Sequence, residues 1–314
     1  MITTVTLNAA IDKTYWISPF HVGKTNRISK QRIEPGGKGV NSAKVLSSLG
    51  VKVTVTGFVG GTNGSELKRL LSEYPIQQRW KEVDGETRTC LNLIDESQSM
   101  ETELLEKGLH INHEDWEGFK ELLKTIAAKS SMVLISGSLP DGLGTGAYRE
   151  LVSMIRNMGI SVGVDASGSA LKDCIASRPT IIKPNIHELE EYCGKPLSSQ
   201  KEIIEEAINL YKRGISYVFV SMGKEGAIGI SNNGIYKAHL APIKAVNTVG
   251  CGDATFAGIA LVLEKSKDIV MALKSGMAAG MANALSEGAG IVREKNYEKF
   301  FEKIAVEKIE EVSG

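Results

Sequence analysis

Short β-branched runs alternate along this chain with longer amphipathic ones, from one end to the other. A brief run of Val, Ile and Thr bounded by Gly or polar residues reads as a buried strand. Apolar residues at three- and four-residue spacing read as a helix with one face on a core. Met1–Leu7 reads as a first strand, and central strands are predicted at Val51–Gly57, Met132–Ser136, Ser161–Asp165, Thr180–Lys183 and Tyr217–Ser221. Helices are predicted near Gly39–Ser48, Glu66–Ser72, Glu114–Ala128, Ala147–Asn157, Lys201–Arg213, Asp253–Lys265 and Lys267–Ala284. Strands joined through helices pair in parallel, so the expected architecture is a doubly wound α/β sheet. Lys13–Pro35 and Glu82–His110 break the pattern, with alternating polar and apolar residues and few helical signals. They read as a small second β-sheet inserted into the α/β unit. Ligands of such folds bind outside the carboxyl ends of the parallel strands, where the insert could act as a lid that excludes water.

Composition narrows the function. The 314 residues are 42% hydrophobic and 24% charged, with 37 Lys+Arg against 37 Asp+Glu. Nucleic-acid and anionic-membrane binders need an electrostatic excess that this chain lacks, so any anion site must be local. The start has no basic leader pattern and no apolar run approaches spanning length, which makes the cytoplasm the expected location. Cys90, Cys174, Cys193 and Cys251 are widely spaced, without C-x-x-C or paired His, and read as reduced thiols.

Candidate chemistry concentrates at Asn247–Gly258, where Gly250 and Gly252 bracket Cys251 and Asp253 opens an apolar helical run. Free amides at a helix start stabilise negative charge, and the glycines let a ligand come close. A carboxylate beside such an anion hole can take a proton from a substrate hydroxyl while the hole holds a transferring phosphoryl group. Pro35–Asn41, with Gly36, Gly37, Lys38 and Gly39, is a second glycine-rich turn opening a helix. It lacks Walker A spacing, and no G-x-G-x-x-G follows the first strand, which argues against a dinucleotide-dependent oxidoreductase. Lys183-Pro-Asn185 with Glu188 follows a strand and could orient a hydrated Mg²⁺. Ser221, Gly223 and Gly226 follow another and could admit a nucleotide phosphate.

Taken in order, Gly36–Gly39 with Asn41, Gly137-Ser-Leu-Pro140, Lys183–Asn185 with Glu188, Ser221-x-Gly223 with Gly226, and Val249–Asp253 resemble the PfkB (ribokinase-like) carbohydrate kinases over nearly the whole chain. Thr6–Asn8 with Asp12, Thr25–Arg27, Glu86–Arg88, Thr102–Glu106 and Gly276–Asn283 resemble its phosphosugar branch, which holds tagatose-6-phosphate kinases and 1-phosphofructokinases. The resemblance implies a single kinase unit over residues 1–314, a ribokinase-like three-layer α/β/α sandwich with a β-sheet lid inserted at about 13–35 and 82–110. It implies ATP-dependent phosphorylation of a ketohexose monophosphate, with Asp253 as general base and the amides of Gly250, Cys251 and Gly252 as anion hole. Asp12, Asn41, Gly37, Lys38 and Ser138 would lie at the sugar, with Arg27, Lys38 and Arg88 supplying charge to its phosphate. Lys183, Asn185, Ser221, Gly223, Gly226 and Asn283 would border the nucleotide, and Asn185 and Glu188 would hold Mg²⁺ through water. A non-catalytic sugar-phosphate sensor on the same fold would be expected to lose the base or the glycines, and both are present.

Two positions depart from the family pattern. Ala9 stands where Pro is frequent, predicting a less rigid turn before Asp12, and Cys251 replaces the usual Ala or Ser. A thiol at a helix N-terminus is expected to have a lowered pKa and to be reactive. The lid's exposed edges predict pairing with a second lid in a homodimer.

Overall fold

The computed structural model describes residues 1–98 and 100–311; Ser99, inside the expected lid segment, and residues 312–314 of the expected unit lie outside the description. In chain order the elements are β1 (Ile2–Thr6), β2 (Ala10–Ile17), β3 (Lys30–Gly36), α1 (Lys38–Ser48), β4 (Val53–Val59), α2 (Gly61–Leu71), β5 (Ile76–Glu82), β6 (Arg88–Asp95), β7 (Met100–Leu105), α3 (His113–Ala127), β8 (Met132–Ser136) and α4 (Ala147–Asn157). There follow β9 (Ser161–Asp165), α5 (Gly168–Ile175), β10 (Ile181–Ile182), α6 (Ile186–Cys193), α7 (Gln200–Lys212), β11 (Tyr217–Ser221), a 3₁₀ turn (Gly223–Glu225), β12 (Ala227–Ser231), β13 (Gly234–His239), α8 (Cys251–Leu263), α9 (Ile269–Ala284), α10 (Glu294–Lys303) and β14 (Ala305–Glu310).

The large sheet runs β14-β13-β12-β11-β10-β9-β8-β1-β4-β5. Every pairing from β11 to β5 is parallel, and β12–β14 extend it as an antiparallel edge. Because strand side chains alternate between faces, Val133 and Ile135 of β8 join one core with Phe119, Leu151 and Leu210, while Met132 and Leu134 join another with Val45, Phe256 and Leu273. Helices α3–α7 cover the first face; α1, α2 and α8–α10 cover the second. The result is the expected α/β/α sandwich. Helices α8 and α9 are apolar almost all round, as helices buried within a layer should be. Among the described residues, no helix is long and apolar enough to cross a membrane.

The second sheet has the order β3-β2-β6-β7, with β2 parallel to β6 and the other pairs antiparallel. It corresponds to the two irregular segments, with a shift in boundary. Residues 76–82 form β5 of the main sheet, so the later contribution to the insert begins at Arg88. The strand expected at Thr180–Lys183 contracts to Ile181–Ile182, flanked by Lys183 and Pro184. Proline has no N–H to continue a ladder.

Candidate active site

The starts of α1 and α8 lie side by side. Gly37 caps α1 at φ 105° and Gly250 caps α8 at φ 77°, both in the left-handed range that costs a residue with a Cβ. Asn41 Nδ2 donates to Asp253 Oδ2 at 2.9 Å, and Ser42 Oγ donates to the Asp253 carbonyl at 3.1 Å. Asn41 Oδ1 is buried without a partner, an acceptor still to be satisfied. At the anion hole the Cys251 N–H closes a turn onto Thr248 O at 3.3 Å, whereas Gly250 and Gly252 have no backbone acceptor among the described residues. The free amides at this helix start are therefore those of the two glycines. Asp253 is only 6% exposed. Burial pushes its carboxyl up to about 6, against the lowering pull of Lys38, with Asp165 adding to the rise. That value suits a base at neutral pH.

Lys38 crosses the site, its Nζ 3.9 Å from Asp165 Oδ1 and 3.7 Å from Glu188 Oε1. The Asp165 carboxylate raises the Lys38 pKa despite burial. Asp165 also pairs with buried Lys183 at 3.4 Å, and Lys183 Nζ lies 3.7 Å from the position a Cβ on Gly252 would take. Lys183 thus borders the start of α8, and Asp165 joins it to Lys38. Asp165 was not among the predicted site residues, although a carboxylate ending an apolar strand at the sheet's carboxyl edge is a readable signal.

Asp12 faces the site from the insert. The preceding turn does not present it: Asp12 lies within β2, paired with Glu34 on one side and Cys90 on the other. The two ladders hold it, which makes Ala9 in place of Pro inconsequential for its rigidity. A Cβ on Gly36 would fall 2.1 Å from the Asp12 carboxyl carbon, so only glycine leaves room there. Burial raises the Asp12 carboxyl to about 6, opposed by Lys44 and Arg88. Arg88 is near Asp12 but already engaged: Nε and Nη2 donate to Asn8 O at 3.2 and 3.0 Å, and Nη1 to Glu106 O at 3.2 Å. Asn8 Nδ2 donates to Ser138 Oγ at 3.2 Å and to Lys107 O at 3.0 Å, linking the sheet edge to the insert. Arg27 is not brought to this cluster; it is exposed in the loop between β2 and β3, with no ion pair among the described residues.

At the ends of β10 and β11, Asn185 and Ser221 are bridged, with Ser221 N–H donating to Pro184 O at 3.1 Å. Gly223 and Gly226 bound the 3₁₀ turn that follows. The Asn185-x-x-Glu188 spacing has a local cause, a capping box on α6: Asn185 Oδ1 accepts from Glu188 N–H, and Glu188 Oε2 from Asn185 N–H, both at 2.9 Å. Asn283 departs from expectation. It has no exposed surface, and its amide holds the anion-hole loop through Val249 O (2.9 Å), Cys251 Sγ (3.4 Å) and the Ile291 N–H (3.2 Å). It supports the Val249–Cys251 segment from beneath. Cys251 departs as well: burial pushes its thiol up, with the Asp253 carboxylate adding to the rise, so the expected lowered pKa is not found. Desolvation outweighs the helix dipole there.

A metal must be held with few direct ligands, because no group of three or more His, Cys, Asp or Glu residues is suited to one among the described residues. Asp165 Oδ1 is buried with no hydrogen-bond partner, and it and Glu188 Oε1 lie 3.9 and 3.7 Å from the same Lys38 Nζ. These oxygens fit a hydrated Mg²⁺ that keeps most of its waters.

A buried carboxylate at an anion-binding helix start, with two lysines beside it and a second carboxylate on an inserted sheet, defines a phosphotransferase acting on an alcohol. A family model described as pfkB family carbohydrate kinase matches residues 5–296, and the chain belongs to that family. It is 35% identical over 309 residues to the tagatose-6-phosphate kinase of Staphylococcus epidermidis, across 98% of this chain and 99% of that one. Phosphofructokinase-2 from Escherichia coli in complex with potassium is similar with a TM-score of 0.91 at 27% identity, over 96% of this chain and 98% of that one. The possible 1-phosphofructokinase of Thermotoga maritima is similar with a TM-score of 0.90 at 28% identity, over 99% and 100%. The chain is thus a carbohydrate kinase, for which ATP is the phosphoryl donor.

Proposed function

We propose that the enzyme phosphorylates a ketohexose monophosphate, with tagatose 6-phosphate as its acceptor and tagatose 1,6-bisphosphate as product. The observation that carries this reading is the contact of Asp253 with Asn41 at the paired starts of α1 and α8, below the strand that bears Asp12. Asp12 and the unpartnered Asn41 Oδ1 hold sugar hydroxyls, with Gly37, Lys38 and Ser138 alongside. Asp253 takes the proton from the acceptor hydroxyl as its oxygen attacks the γ-phosphorus; the bond to the β,γ-bridging oxygen breaks and ADP leaves. The amides of Gly250 and Gly252, with Lys38 and Lys183, stabilise charge on the transferring group. Such positioning and electrostatics carry phosphoryl transfer. Bound Mg²⁺ would supply charge neutralisation on the donor phosphates, held through water by Glu188, Asp165 and Asn185. Ser221, Gly223 and Gly226 border the nucleotide. Arg88 lies near enough to Asp12 to meet the acceptor's phosphate with its remaining donors, and Arg27 would have to be delivered by movement of its loop. The insert acts as lid and as a homodimer contact, and dependence on ATP fits a cytoplasmic enzyme.

The similarity to the Staphylococcus epidermidis enzyme favours tagatose 6-phosphate. Likeness to the Thermotoga maritima structure supports a second reading, fructose 1-phosphate going to fructose 1,6-bisphosphate. Comparing kcat/KM by ADP release over tagatose 6-phosphate, fructose 1-phosphate, fructose 6-phosphate, tagatose 1-phosphate and the free ketohexoses decides between them. The highest value is expected with tagatose 6-phosphate. A preference for fructose 1-phosphate would establish the second reading, and no turnover on any would favour the sensor.

A further inference from the structure

Lys44 lies one turn beyond Asn41 on α1 and is 1% exposed. An ammonium so far from water is costly unless opposite charges or acceptors surround it. Its Nζ donates to Pro35 O at 3.2 Å, the carbonyl just before Gly36 at the end of β3. One of three donors is thereby used. The stem runs beneath the segment that supports the anion hole: a Cβ on Gly290 would fall 2.7 Å from Lys44 Cε, and one on Gly250 2.9 Å from Ala289 Cβ. Lys44 therefore sits where the lid strand, the start of α1 and the anion-hole support converge.

The charges around it are Glu34 and Arg32 from β3, Asp12 from β2 and Asp253 from α8, with Arg88 of β6 and the Cys90 thiol also facing Asp12. Arg88 is engaged with the carbonyls of Asn8 and Glu106, and Arg32 with Glu287. Lys44 is thus held at the same turn as Asp12: its Nζ binds Pro35 O, and the adjoining Gly36 lies against the Asp12 carboxyl. We propose that Lys44 is a positioning residue whose buried ammonium is the fixed counter-charge that keeps Asp12 ionised and aimed at the sugar. Burial lowers the Lys44 pKa while Glu34 and Asp12 raise it, and Lys44 is the largest influence lowering that of Asp12, as a mutually stabilising set requires.

The role of Asp12 at the sugar rests on the function proposed above, so the test has a substrate-free arm. The Asp12 side-chain carboxyl is titrated by ¹³C NMR in ligand-free wild type, Lys44→Met and Lys44→Arg. The acceptor's KM and kcat and the pH profile of kcat/KM are measured alongside. In Lys44→Met the Asp12 midpoint and the acid limb should rise by about one unit, with KM up about tenfold below pH 6 and nearly unchanged at pH 8, and kcat changed much less, one pK unit being a tenfold change. Lys44→Arg should restore both. An unmoved Asp12 midpoint in a Lys44→Met protein with native melting would overturn the proposal. If Lys44→Met does not fold, Lys44→Gln, which keeps a donor for Pro35 O, decides: a rise of about one unit in the Asp12 midpoint supports the charge role, and an unmoved midpoint with native melting overturns it. Failure of the wild type to turn over any phosphosugar would refute the acceptor assignment and leave the titration as the test of Lys44.

Discussion

As the proposed base, Asp253 meets two opposed demands, since a base must be ionised and its buried position disfavours the charge. In the unfolded chain an aspartate titrates near ~3.9, against about 6 in the fold. A raised carboxyl pKa means the native state binds the extra proton, so this contribution to stability is fully present below pH ~4. It is lost as pH rises through about 6. Asp253→Asn should therefore stabilise the free protein by about 2–3 kcal/mol at pH 7.5 and by almost nothing at pH 4, about two pK units converted to energy. Thermal melts at the two pH values check this; equal shifts at both would sink it. The same variant should lose about 10²–10⁴-fold in kcat while still binding ATP and sugar. In the wild type, kcat/KM should fall below an apparent pKa near 6. Asp253 and Asn41 were legible because glycine-rich turns before apolar helical runs announce anion-binding helix starts. Lys44 was not, since a lysine in a helical run usually reads as solvated. Cys251 misled because helix position is visible in a sequence and burial is not.

At the level of elements, α8 is fixed against α9 by close backbone approach. A Cβ on Gly258 would lie 2.5 Å from Ser275 O, and one on Gly276 2.9 Å from Thr255 O. Gly258→Ala must push the helices apart, and overpacking of this kind costs about 1–3 kcal/mol. Because α8 also carries the anion hole and base at its start, kcat should drop together with the urea midpoint. An unchanged midpoint would show that the pair can relax without cost. The parallel strands were legible from their apolar runs, with Met132–Ser136, Ser161–Asp165 and Tyr217–Ser221 found to the residue. The antiparallel edge β12–β14 was not: Ala227–Ser231 and Gly234–His239 are short and contain glycine, and half of Ala305–Glu310 is charged. Helix α6 was hidden because Asn185 and Glu188 suggested a metal site before they suggested a capping box.

Across the whole molecule, the inserted sheet is tied to the body through Glu287, which pairs with Lys30 at 2.9 Å and with Arg32. Its far side is uncovered. Strand β7 is exposed along its length, with Met100, Leu104 and Leu105 at 55%, 51% and 63% exposure, and it forms the sheet's free edge. Natural proteins seldom leave an apolar edge strand open, because its unpaired N–H and C=O groups template association. A two-fold dimer is the simplest closure, since one self-complementary strand can serve both copies. Sedimentation should find the wild type dimeric and Leu104→Lys/Leu105→Glu monomeric, with melting little changed because neither side chain packs in the monomer. The monomer should bind the acceptor more weakly, since Asp12 lies on the same sheet and a lid without its partner is less restrained, while the KM for ATP should stay near native. A wild-type monomer at assay concentration would remove the dimer. A dimer undisturbed by the double variant would move the interface elsewhere, leaving β7 an open edge protected only by Glu101, Glu103 and their like charges.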